Sequence, residues 1–319
     1  MNVSSAFDIF QRVVNADEEA IREARRRRDL FKDAFGPESD VTEVIASGSL
    51  RRGTHRDPIH DVDVVIIFEG NHHPTWGRPG KSAEEALHYT RGKVNTLLGV
   101  SHGTFAKEVR LAKWRNHAVK CFLDDPEDSD AFTVDAMPAL RSDGKLLIPE
   151  AKSKSWVPAD PEHLIASVAA KHKAWNQFAG SVRMLKAWGA EQDIKVKSLV
   201  MEVLALHHMP TSHIRPVAMK NFFVKAAFHI ESGMLVEDPA GICGPIQTDL
   251  KYVEFGERLR AAAKAASLAV AAQASNKDDA AISYWGEIFG DEFPKPPKST
   301  SAPAAAVAVP RPVKDTPQG

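Results

Sequence analysis

Asp61 and Asp63 stand one residue apart at the mouth of an apolar run, VDVVIIF (62–68). Strand side chains alternate with a period of two, so both carboxylates point to the same side. Two like charges placed together cost Coulomb energy unless a cation sits between them. Divalent magnesium suits the position, because it takes hard oxygen ligands and keeps places open for phosphate oxygens. A two-metal site wants a third carboxylate from a neighbouring strand. Asp135 supplies one within AFTVDAMPAL (131–140), flanked by Val134 and Ala136, where a bare carboxylate has no structural use. Upstream, SGSLRRGT (47–54) puts Gly48 and Ser49 between a strand and the start of a helix. Glycine allows close backbone approach, Ser49 offers a hydroxyl, and a helix start presents free N–H groups to an anion. Together these residues point to metal-assisted phosphate chemistry.

The elements that must position them can be read from periodicity. Residues 5–35 carry Phe7, Phe10, Val13 and Val14 at helical spacing and run on through EEAIREARRRRDLFKDAFG to Gly36-Pro37, which predicts one amphipathic helix. Residues 41–47 predict a short strand, and 62–68 a central strand covered on both faces. Residues 82–98 predict a helix. Alternation over 105–111 and 117–123 predicts two strands with Lys107 and Lys120 turned outward. The run 131–140 predicts a further strand, ended by Pro138. Beyond residue 150 the pattern turns helical. One long helix is expected over 163–192, then helices over 196–209, 216–232 and 249–274, and a short last one within ISYWGEIFGDEFP. From Pro294 the chain is rich in Pro, Ala and Ser, a composition that cannot offset its ordering entropy and predicts disorder. The expected organisation is a catalytic α+β domain over 1–150, a helical domain over 151–293 and a tail over 294–319, with a ligand site between the two domains.

Composition bounds the rest. With 43% hydrophobic and 26% charged residues among 319, the chain falls in the soluble globular class. A formal net charge of −1 gives no global basic field, which argues against strong duplex-DNA binding. Two cysteines, Cys121 and Cys243, are too few for a disulfide framework and read as reduced thiols. No leader pattern and no apolar run near 18 residues is present, so a cytoplasmic protein without membrane contact is expected. The basic run REARRRRD (22–29) reads as a solvated helix face. His207, His208 and His213 lack zinc-motif spacing. Trp175 and Trp188 read as core anchors and His60 as a turn residue.

The Gly-Ser pair, the D-x-D and the later VDAMPA strand resemble the nucleotidyltransferase superfamily that includes DNA polymerase beta. The chain is more closely similar to the bacterial cyclic-oligonucleotide synthases related to cyclic GMP-AMP synthase and 2'-5' oligoadenylate synthetase, over roughly residues 5 to 294. The stretch VRMLKAWGAEQDIKVKSLVMEVLAL (182–206) is similar to that family's helix pair, and VEDPAG (236–241) to its DP loop near the base pocket. Where the family carries an Asn after DP, this chain has AGICGPI. The resemblance implies a polymerase-beta-like mixed sheet with helices, followed by a helical domain. It implies that Asp61 and Asp63 bind two magnesium ions, with manganese as a substitute, and that Asp135 holds one of them. Ser49, Lys186 and Ser198 would position the donor triphosphate beside Gly48. The implied activity joins ribonucleoside triphosphates into a cyclic di- or oligonucleotide that acts on a downstream effector in anti-phage defence. Competing readings are nucleotide transfer to tRNA, a protein or a small molecule, and a non-enzymatic binding module. Some relatives are conjugated through a C-terminal glycine, which marks Gly319 as a site for a ubiquitin-like conjugating partner.

Overall fold

A computed structural model describes residues 1–99 and 108–296. Two helices, α1 (Val3–Val14) and α2 (Glu18–Phe35), open the chain. The order continues with β1 (Val41–Ser47), α3 (Gly48–Arg52), β2 (Asp61–Phe68) and α4 (Ser82–Leu98). Then come β3 (Leu111–Trp114), β4 (Val119–Phe122), β5 (Thr133–Ser142), β6 (Lys145–Glu150) and β7 (Ser155–Ala159). The remainder is helical: α5 (Pro161–Ala174), α6 (Phe178–Ala190), α7 (Ser198–His208), α8 (Arg215–Glu231), α9 (Tyr252–Ala274) and α10 (Asp278–Phe289). Five strands pair in the order β1-β2-β5-β4-β3; β6 joins β5 along its later residues and β7 joins β6. β2 and β5 are parallel, and the other pairs are antiparallel. This is the α+β arrangement expected from periodicity, with the mixed sheet that the resemblance implies.

Alternation along β2 divides its work. Val62, Val64, Ile66 and Phe68 enter a core shared with Phe31 and Phe35 of α2 and with Ala86 and Val94 of α4. Asp61, Asp63, Val65 and Ile67 therefore face the other side, where Val65 and Ile67 meet Leu146 and Ile148 in a small cluster. Asp63 pairs in register with Asp135 of β5.

Several expected boundaries move. The single helix over 5–35 is two. Asp17 caps α2 by accepting a 2.7 Å hydrogen bond from the Ala20 N–H, as Asn2 caps α1 through Ser5. The break lets the two helices serve different cores. Phe7 and Phe10 of α1 pack on Phe289 and Phe293 near the C-terminus, inside the large helical core. The expected helix over 163–192 also breaks, at Trp175, which is extended. Burial differs sharply across that break: α5 buries only Val168, whereas α6 is buried on almost every face. Pro138 does not end its strand. β4 pairs with residues 133–136 of β5 and β6 with residues 140–142, so Pro138 falls in the interval where neither needs its missing N–H. β7 continues the sheet past residue 150. The strand expected over 105–111 begins at Leu111; Lys107 lies outside the described residues, as do Gly319 and most of the expected tail. Among the described residues no helix is long and apolar enough to cross a membrane.

Phe7 is 1% exposed and meets Trp285 edge-on at 4.9 Å between ring centroids. Phe7→Ala is expected to lower the unfolding free energy by about 3–5 kcal/mol. Urea denaturation reads this as an earlier midpoint, and an unchanged midpoint would remove α1 from the helical core.

Candidate active site

The turn from β1 into α3 is built around Gly48. Its φ is +72°, a left-handed value that favours glycine. A Cβ there would stand 1.8 Å from Oδ2 of Asp63. The backbone and the carboxylate thus share space that no other residue type leaves open. Leu50 anchors α3 in the sheet-side core, and Gly53, also at positive φ, closes the helix. Ser49 and Arg52 line a cleft of about 400 Å³ between the sheet and the helical half.

A row of polar residues crosses the sheet on this face. Ser47, Asp63, Asp135 and Lys120 are successive register partners on β1, β2, β5 and β4. Asp61 lies one pleat along on the same face as Asp63. Lys120 is turned away from the core as expected, but toward this row rather than into bulk solvent. Burial, reinforced by the charges of Asp61 and Asp135, pushes the Asp63 carboxyl up to about 7. Burial also raises Asp135, against the pull of Lys120. Oδ1 of Asp135 is buried without a hydrogen-bond partner. Carboxylates gathered without protein donors, one with an orphaned oxygen, fit hard divalent cations. Among the described residues no three His, Cys, Asp or Glu side chains are arranged as a group that could hold a metal ion by themselves.

Lys186 and Ser198 both line the cleft. Lys186 is 4% exposed, and its Nζ donates to Oε2 of Glu202 at 2.5 Å and to the carbonyl oxygen and Oγ1 of Thr54 at 3.1 and 3.2 Å. Arg52 Nε donates to the other Glu202 oxygen at 2.6 Å. Burial alone would raise Glu202, but the two cations hold its carboxyl at about 2. Burial lowers Lys186, with Glu202 opposing. Arg52 and Glu202 were not singled out in the sequence. Glu202 could have been, as the lone charge in the buried run SLVMEVLAL. Ser198 is the first residue of α7, and the capping position before it belongs to Lys197.

Away from the carboxylate row, the cleft is lined by Asp160 at the start of α5 and by Asp238 and Cys243 in the loop between α8 and α9. Trp188 settles as the sequence suggests, buried against Phe223. The arginine run is only partly the solvated face expected: Arg26 pairs with Glu23 in solvent, whereas Arg27 and Arg28 are largely covered and Arg27 reaches Asp124 and lies over Phe132. His60, expected in a turn, is the irregular residue just before β2, its Nδ1 3.2 Å from the Asp130 carbonyl oxygen.

Residues 25–108 match the nucleotidyltransferase domain family. With the cleft between sheet and helices, this match identifies a nucleotidyltransferase domain, and so an enzyme, in the sheet-bearing part of the chain. Its whole-chain likeness is to the bacterial CD-NTases, the cyclic nucleotide synthases. A protein described as a probable cyclic nucleotide synthase from Bacillus cereus (strain VD146) is 24% identical over 331 residues, spanning 91% of this chain and 97% of its own. CdnC of Escherichia coli MS115-1, solved with ATP, superposes with a TM-score of 0.68 at 18% identity, covering 92% of this chain and 99% of its own. CdnG, a CD-NTase of Bradyrhizobium diazoefficiens solved with GTP, gives 0.63 at 12% identity, covering 90% and 95%. The shared fold is polymerase-beta-like.

Glu202→Gln leaves two cations buried without an anion, and is expected to lower stability by about 3–5 kcal/mol in chemical denaturation. Because Glu202 is held below its usual 4.5, its contribution is complete above that pH and is lost as the pH falls toward 2. The variant's stability should accordingly change less over that acid range. Gly48→Ala forces Asp63 aside. It is expected to cost about 1 kcal/mol of stability but to slow pyrophosphate release by at least about 100-fold. Turnover close to wild type would mean that Asp63 can move without consequence.

Proposed function

We propose that the protein joins ribonucleoside triphosphates, without a template, into a cyclic di- or oligonucleotide. The observation that carries this reading is the carboxylate row. Asp63 and Asp135 stand in register, with Asp61 on the same face and an unpartnered Asp135 oxygen, in a cleft between sheet and helices beside Gly48. A relative described as a probable cyclic nucleotide synthase, alignable over 91% of the chain, supports the choice of product.

Asp61 and Asp63 would hold two magnesium ions, or manganese in their place, and Asp135 would share one of them. Bound there, the ions would lower the pKa of a ribose hydroxyl and neutralise charge on the phosphates. The residues divide the remaining work. Gly48 lets the backbone approach, while Ser49 and Ser198 offer hydroxyls to the donor triphosphate from opposite walls. Lys186, oriented by Glu202 and Thr54, adds positive charge to the wall. Asp135, raised by burial and faced by Lys120, is placed to take the proton of the attacking hydroxyl. Holding both nucleotides between two rigid halves supplies proximity and orientation. The product would act on a downstream effector in anti-phage signalling.

The test is incubation of the purified chain with all four ribonucleotides and magnesium or manganese, followed by phosphatase and mass spectrometry. The expected result is a phosphatase-resistant cyclic species, absent with Asp61→Asn/Asp63→Asn. A resistant product made equally by the double variant would remove the carboxylate mechanism. Label transferred only to an added tRNA, protein or small molecule would replace the cyclic product with an external acceptor.

A further inference from the structure

The helical half leaves an apolar face uncovered. α8 buries Met219, Phe222, Phe223, Ala226 and Ile230 in the large core. Its opposite side carries Ile214 at the cap, then Val217, Asn221, Val224 and Phe228. These residues alternate by steps of three and four, so they form one stripe along the helix. Ile214 is 59% exposed, Val224 44% and Phe228 69%. Val217 and Asn221 are half-buried. Just past the helix, Met234 and Leu235 are exposed as well. Single apolar residues on a surface need no explanation, but a continuous stripe marks a surface made for contact. The exposed side of α2, by contrast, presents Arg22, Arg25 and Arg26.

The spacing is that of a seam between two helices, in which apolar positions recur every seven residues. Asn221 stands at the middle of the stripe, and a lone asparagine in such a seam fixes register and choice of partner. Lys220 and Lys225 flank the seam on its two sides, and neither pairs with a carboxylate among the described residues. Glu231, on the last turn of the helix, is taken by Arg260 at 2.5 Å. A second copy docked in parallel would bring Lys220 of one helix against Lys225 of the other. Docked antiparallel, each basic flank would meet its own kind. Acidic flanks on the incoming helix remove that repulsion and add attraction. We propose that the outer face of α8 docks an amphipathic helix of another protein, with apolar residues at the same spacing, a polar residue opposite Asn221 and Glu or Asp on both flanks. Because α8 is already folded, only the incoming helix loses conformational freedom on docking. The stripe runs about 21 Å from Ile214 to Phe228, a length suited to a reversible contact. No residue of α8 lines the cleft, so the inference stands apart from the nucleotide reading.

The test uses the full chain and two synthetic fluorescent peptides, each a helix with leucine at the seam spacing and one asparagine at its centre. One peptide carries glutamate on both flanks and the other lysine. Fluorescence anisotropy is expected to show the glutamate peptide binding at least about 10-fold tighter, with the difference shrinking as salt is added. Val224→Ser and Phe228→Ser should each weaken that binding by at least about 10-fold while holding the unfolding temperature, since both side chains lie outside the core. Lys220→Glu/Lys225→Glu should reverse the preference, so that the lysine peptide binds better. Failure of the glutamate peptide to bind, equal binding of the two peptides, or binding indifferent to Phe228 would overturn the proposal. So would concentration-dependent dimerisation in analytical ultracentrifugation that Phe228→Ser abolishes, since the face would then belong to a second copy. Flotation with anionic but not neutral phospholipid vesicles, lost in the same variant, would overturn it in favour of a lipid surface.

Discussion

Glu202 is the anion on which the arrangement of the cleft depends. It is fully buried on α7, with Lys186 of α6 on one oxygen and Arg52 of α3 on the other. Taking three charges out of water is costly, and such a cluster is tolerated only with good geometry and every partner in place. Thr54 completes it by accepting from Lys186. Nearby, Arg183 of α6 donates to the Gly53 carbonyl oxygen and, at 2.7 Å, to Oδ1 of Asn15. Residues 52–54 are therefore fastened to the helical half, although α3 is rooted in the sheet-side core through Leu50. The Gly48–Ser49 turn is set by both halves at once.

That fixed turn meets the opposite electrostatic situation a few residues away. Asp61, Asp63 and Asp135 repel one another in a partly desolvated place, and the fold gives Asp63 and Asp135 little protein compensation. The contrast with Glu202 is instructive. One acidic group is neutralised by side chains and is structural. The other group has Arg52, Lys186 and Lys120 near it among the described residues, and these do not offset its burial. Gly48 makes the second arrangement possible, since any side chain there would displace Asp63.

Much of the carboxylate row was legible in the sequence. Period-two alternation placed Asp61 and Asp63 together, and an aspartate between Val134 and Ala136 marked the third position. Its pairing partner was not legible, because strand register is settled by long-range contacts. The same limit hid Lys120 opposite Asp135. Local signals for the break before α2 were present in Asp17, but the apolar spacing on either side outweighed them. The break at Trp175 had no comparable signal: a surface helix and a buried helix simply meet there. Pro138 misled because its tolerance depends on where two other strands begin and end. Arg52 and Glu202 became meaningful only once α3 and α7 were brought together in space.

The split between α1 and α2 has a mechanical consequence. α1 belongs to the helical body and α2 to the sheet body, so the backbone passes from one to the other near residues 15–17, and returns between β7 and α5 near residue 160. Rotation about the line through those two crossings is opposed by buried contacts that bridge the bodies away from it, Arg52 with Glu202 and Lys186 with Thr54. Opening about that line would part a buried ion pair, so the same cluster that sets the Gly48–Ser49 turn also sets the width of the cleft.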